Sequence, residues 1–84
     1  MPNQTLFQQI AQEISVGDRE RRKVATVHMQ ILLYANELSA LPRREVCSRV
    51  GLRESYAIEI SKMINLAELL VESGYEIVRR VAPK

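Results

Sequence analysis

Apolar residues recur three and four positions apart over most of this chain. In "TLFQQIAQEIS", Leu6, Phe7, Ile10, Ala11 and Ile14 share one face, the period of an amphipathic helix. Asn3 or Thr5 suits its start and Gly17 its end. Its polar face is Gln-rich and almost uncharged. Asp18 is a fitting N-cap for a longer second helix through "RERRKVATVHMQILLYANELS", whose stripe is Val24, Val27, Ile31, Tyr34, Ala35 and Leu38. "SALP" ends that helix, and Pro42 suits the first turn of the next. There, "RREVCSRV" puts Val46, Cys47 and Val50 on one side. After Gly51 and Leu52 the stripe resumes with Ala57, Ile60, Ile64, Ala67 and Val71, widened by Met63 and Leu70. Gly74 is a plausible terminator. In "YEIVRRV", Tyr75, Ile77, Arg79 and Val81 alternate with Glu76, Val78 and Arg80, the pattern of a short strand or an extended tail. A second reading stops the last helix near Leu66 and folds "AELLVESGYEIVRRV" into a wing-like hairpin at Ser73-Gly74. The spacing, which holds to Val71, favours one long helix.

The expected fold is therefore all-α: one small domain over residues 1–84, with a long C-terminal helix and a possible C-terminal strand or wing. The composition agrees. The 84 residues are 46% hydrophobic and 26% charged, with 5% aromatic residues and three glycines, which is globular and helix-compatible. A chain of this length buries a modest core, so a dimer is a reasonable expectation.

Gly51 interrupts "REVCSRVGLRESYAIEI", a run that is otherwise helix-forming. A glycine inside a helix costs about 1 kcal/mol relative to alanine. The stripe of Val46 and Val50 continues to Leu52 and Ala57 only with a shift of phase. A tight turn between two helices explains both facts, with Gly51 in the left-handed conformation that glycine adopts cheaply. Cys47 is a small residue four places before the glycine. Val46 and Val50 are apolar five and one places before it, Leu52 one place after, and Ala57 and Ile60 six and nine places after. Over residues 43–61 this steric pattern resembles the helix-turn-helix motif of DNA-binding regulators, although alanine is more usual at the place of Cys47.

That resemblance implies a second helix that starts near Arg53 and lies in the major groove of duplex DNA. Its outward residues are then Arg53, Glu54, Ser55, Tyr56 and Glu59. Arginine pairs with guanine edges, glutamate accepts from cytosine, and serine serves either role. Arg43, Arg44 and Arg49 on the preceding helix would approach the phosphates, which supply most of the affinity and its salt dependence. Glu54 and Glu59 are repelled by those phosphates, and Ile58 is apolar at an outward position.

Charge adds to this picture. The net charge is only +2, but Arg19, Arg21, Arg22, Lys23, Arg43, Arg44, Arg49 and Arg53 fall between residues 19 and 53, against Glu20, Glu37 and Glu45. From residue 54 to 76 the balance reverses, with Glu54, Glu59, Glu68, Glu72 and Glu76 against Lys62. A basic half joined to an acidic half points to a polyanion-binding face and a separate partner or solvent face. Arg19, Arg21 and Arg22, read as the first turn of the second helix, oppose its dipole and make sense against an external phosphate.

A single Cys excludes an intramolecular disulfide, and with a single His it makes a metal site improbable. Cys47 reads as a packing residue and His28 as a residue of the core edge or the surface. No phosphate-binding glycine loop, nucleophile elbow or diagnostic carboxylate pair is present. The expectation is a non-enzymatic, cytoplasmic protein without cofactor that binds double-stranded DNA as a homodimer and regulates transcription. An adaptor for a protein partner on the same scaffold is the alternative, and no long apolar run suits a membrane. The stripe on the last helix is wider than a small core needs, so Met63, Ala67, Leu70, Val71 and Ile77 are the expected dimer interface.

Overall fold

The computed structural model describes the backbone of residues 3–78. Helix α1 (Asn3–Arg19) is followed by α2 (Lys23–Leu33), a single turn α3 (Ala35–Leu38), α4 (Arg43–Val50), one turn of 3-10 helix (Glu54–Tyr56) and α5 (Ala57–Glu72). There is no strand among the described residues. Residues 75–78 have no regular structure, and Arg79, Arg80 and Val81 of the expected strand lie outside the described residues. The long continuous α5, rather than a hairpin, is the form the chain takes.

The helices close around a core in which Ile10, Val27, Ile31, Leu38, Val46, Cys47, Ile60 and Ile64 are fully buried. These are the residues spaced at three and four, and burial of that stripe stabilises helices too short to persist alone. Helix α1 packs on α2 and α4, and α5 packs on α2, α3 and α4.

Five local expectations change. Gly17 does not end α1, which continues to Arg19. Its missing side chain serves packing instead, because a Cβ there would overlap the Thr26 hydroxyl and lie 2.7 Å from Thr26 Cβ. Asp18 is not a cap but part of α1. Helix α2 starts at Lys23 behind Arg22, with no side-chain cap. Arg19 thus belongs to the last turn of α1, where a cation suits the dipole, and Arg21 and Arg22 lie in the link. Lastly, the expected long second helix bends at Tyr34 (φ −112°, ψ 26°). The bend lets α3 bury Ala35 and Leu38 and pack on α5. Val24, one residue into α2, is 53% exposed rather than buried.

Candidate nucleic-acid interface

Three helix ends share one hydrogen-bond pattern. At the end of α4, Gly51 has φ 79°, the Leu52 N–H donates to the Cys47 carbonyl at 2.8 Å, and the Gly51 N–H donates to the Ser48 carbonyl at 3.4 Å. This is a Schellman cap, in which a left-handed residue lets the chain turn and satisfies two carbonyls. Leu52 is buried behind it. Arg53 is extended (φ −67°, ψ 151°) and leads into the 3-10 turn and α5. The two helices are therefore joined by a tight turn, as the glycine predicted.

Helix α5 ends in the same way at Gly74 (φ 90°), with Tyr75 N–H to Leu70 carbonyl at 2.8 Å and Gly74 N–H to Val71 carbonyl at 3.1 Å. Helix α1 also ends in this way, with Arg22 N–H to Gly17 carbonyl at 2.7 Å and Arg21 N–H to Asp18 carbonyl at 3.1 Å. Here the left-handed position holds Arg21, at φ 61°, and no glycine. A branched-free but substituted residue in this region carries a steric cost of about 1–2 kcal/mol.

Helices α2 and α5 run in the same sense. Lys23 at the start of α2 lies over Tyr56 at the start of α5, with its nitrogen 5.6 Å from the ring centre. His28, further along α2, meets Glu59, further along α5. Both N-terminal ends thus sit side by side, and neither has a side-chain cap. Lys23, Val24, Arg53, Ser55, Tyr56 and Glu59 line an open cleft between them. Arg21 and Arg22 border the adjoining hollow with Lys23, and Arg21, Arg22 and Arg53 are exposed. Positive side chains from two stretches some thirty residues apart in sequence converge on helix ends that are themselves partly positive.

The remaining expected site residues are dispersed among intramolecular contacts. Arg43 donates from Nε to Ser61 Oγ at 3.3 Å, and from one terminal nitrogen to the carbonyls of Ser39 (3.2 Å) and Leu41 (3.1 Å). It clasps the α3–α4 connection to α5. Arg49 pairs with Glu45 at 2.8 Å and lies 5.2 Å from the centre of the Phe7 ring. Arg44 pairs with Glu54 at 2.7 Å on the open surface, where such a pair contributes little. Ile58 is exposed.

Glu59 faces α2 rather than outward. Its Oε1 accepts from His28 Nε2 at 2.8 Å, and Lys62 is 3.7 Å from its other oxygen. The hydrogen bond from His28 outweighs partial desolvation and, with Lys62, holds the Glu59 carboxyl below its ordinary value. The Cys47 thiol is pushed up, by burial first and by Glu54 second, which makes it a poor nucleophile.

Two residues that matter here are missing from the sequence-based set of site residues. Lys23 is visible only as one more cation in a basic run until α2 is known to lie along α5. His28 gains its role from the same juxtaposition. Of the expected dimer residues, Met63 and Ala67 are half-buried against the core of their own chain and Leu70 is half-buried, while Val71 and Ile77 are 70% and 44% exposed.

No helix among the described residues is long and apolar enough to cross a membrane. No curated protein and no solved structure gives a significant match to the chain. The HTH-like domain family matches residues 2–73, which takes in every helix described above together with the Gly51 turn, and the chain belongs to that family.

Proposed function

We propose that the protein binds duplex DNA, with the start of α5 in the major groove and the α1–α2 link on the neighbouring phosphates, and that it regulates transcription. The observation that carries this reading is the convergence of Arg53 with Arg21, Arg22 and Lys23 across the paired N-terminal ends of α5 and α2. In this reading Arg53, Ser55 and Tyr56 read base edges, with Glu54 beside them when Arg44 releases it. Arg21, Arg22 and Lys23 supply phosphate contacts, with Arg19 and Arg44 at the margins. Arg43 and Arg49 act instead through the fold. Glu59 positions α2 against α5 rather than touching bases.

Retardation of a random duplex at low and at physiological salt tests the reading. The expected result is binding whose logarithm falls with the logarithm of salt at about 0.9 per phosphate contacted. No retardation at low salt, or retardation indifferent to salt, would overturn it. The second reading, an adaptor for a protein partner, is favoured by the exposed apolar side chain of Ile58. Homodimerisation enters the regulator reading through a face other than the one that carries Glu68, Glu72 and Glu76.

A further inference from the structure

At the far end of the paired helices the chemistry inverts. The C-terminal parts of α2 and α5, with α3 between them, leave an apolar groove of about 430 Å³. Leu33, Ile64, Ala67 and Val71 line it, together with Tyr75 and Ile77 from the segment after α5. Leu33, Val71, Tyr75 and Ile77 are between 44% and 70% exposed, so the outer part of the groove is left open to water by the described residues. Contiguous open apolar surface of this kind marks a docking site.

The rim of the groove decides what docks. Glu68, Glu72 and Glu76 all line it, and none of its described lining residues is basic. The last turns of α2 and α5 also lack a basic residue, although helix ends of this polarity favour cations. The carboxylates and the carbonyl ends therefore act in the same direction. At this end the fixed charge is unfavourable for the isolated helices and favourable for a cationic partner.

We infer that this groove binds an amphipathic helix of another protein, with apolar residues spaced at i, i+3, i+4 and i+7 and Lys or Arg on both flanks. A second copy of this chain is a poor occupant. A two-fold contact sets the same patch against itself, which would oppose Glu68, Glu72 and Glu76 to their counterparts with no cation among the described lining residues. The inference is independent of DNA binding, because the two ends use different residues.

The test is fluorescence anisotropy without DNA, using two labelled synthetic helices that share one leucine pattern, one with lysine flanks and one with glutamate flanks. The lysine-flanked helix is expected to bind at least about tenfold more tightly, since like charges across a contact are strongly disfavoured. Leu33→Glu should abolish that binding, and Arg53→Ala should leave it unchanged. Leu33 is exposed, and circular dichroism of the variant checks that it folds. The double variant Glu68→Lys, Glu72→Lys should reverse the preference between the two helices. Equal binding of both helices, or no binding of either, overturns the inference. So does light scattering at twice the chain mass that Leu33→Glu returns to the chain mass, which would make the occupant a second copy. Tighter binding once residues 79–84 are removed would make it the chain's own end, and would overturn it too.

Discussion

Lys23 holds its ammonium nitrogen 5.6 Å from the centre of the Tyr56 ring. The contact is within cation–π range, and it ties the first residue of α2 to the last residue of the 3-10 turn before α5. The basic link between α1 and α2 is thereby fixed beside Arg53. A helix-turn-helix alone offers a reading helix and the helix before it. Here the helix before it has two of its arginines, Arg43 and Arg49, occupied within the fold. In the proposed DNA complex, phosphate contacts would then come mainly from the α1–α2 link, where Arg21 and Arg22 are exposed.

Substitution should separate the roles of these cations. Lys23→Ala and Arg22→Ala are expected to weaken binding to all duplexes alike and to lower the salt slope by about 0.9 each. Arg53→Ala should relax the preference at one base pair, at about 1–3 kcal/mol. Arg43→Ala should leave the salt slope unchanged and lower the melting temperature, because three hydrogen bonds joining α3, the Leu41 turn and α5 are lost. Retardation assays and thermal melts distinguish the three behaviours. A lower salt slope for Arg43→Ala would return that residue to the phosphate set.

The parts of this molecule written in local spacing were legible in its sequence. Val46, Cys47, Val50, Leu52, Ile60 and Ile64 are buried because three-and-four spacing reports a helix face directly. Gly51 marked its turn because only the left-handed region makes a glycine worth its cost there. Gly17 misled for the opposite reason. A glycine needed for close approach by Thr26 reads identically to one that ends a helix, and Arg21 then took the left-handed position in its place. The candidate site was less legible still. Arg53 and the 21–23 run are both conspicuous, but their meeting depends on α2 lying parallel to α5, which no local pattern encodes. The same juxtaposition turns Glu59 from an outward residue into the partner of His28.

Glu59 makes stability depend on pH in the acid range. Its folded-state pKa lies below the ordinary value of 4.5, chiefly through the hydrogen bond from His28. A depressed carboxyl contributes stability that is complete above its unfolded pKa and is lost as pH falls through the folded one. Glu59→Gln keeps an acceptor for His28 and removes the charge. The wild type should therefore melt above the variant at neutral pH, with the gap closing as pH drops below about 4.5. A gap that stays constant down to pH values well below that would show that the carboxylate charge is immaterial.

Gly17→Ala tests the close approach of α1 and α2. In an open helix the change should stabilise by about 1 kcal/mol. Here the new Cβ would lie 2.7 Å from Thr26 Cβ and overlap its hydroxyl, and that hydroxyl is engaged with the Arg22 carbonyl at 2.7 Å. Overpacking of this kind typically costs about 1–3 kcal/mol. The expected net result is a lower denaturant midpoint. A raised midpoint would mean that the two helices separate easily.

Arg21 offers the sharpest test of the proposed interface, because stability and binding should move in opposite directions. The residue occupies the left-handed position of a Schellman cap at φ 61°, where the other two such caps use Gly51 and Gly74. Arg21→Gly removes a steric cost of about 1–2 kcal/mol. Part of that gain is offset by the extra freedom of glycine in the unfolded chain, about 0.4–1 kcal/mol. The variant should melt at a higher temperature than the wild type. It also loses a cation beside Lys23, so duplex binding should weaken and the salt slope should fall by about 0.9. Strain retained at a position that improves with glycine is expected where the side chain serves a ligand. If Arg21→Gly were to raise stability while leaving duplex binding and its salt slope untouched, the strain would have no part in DNA recognition, and the α1–α2 link would drop out of the proposed interface.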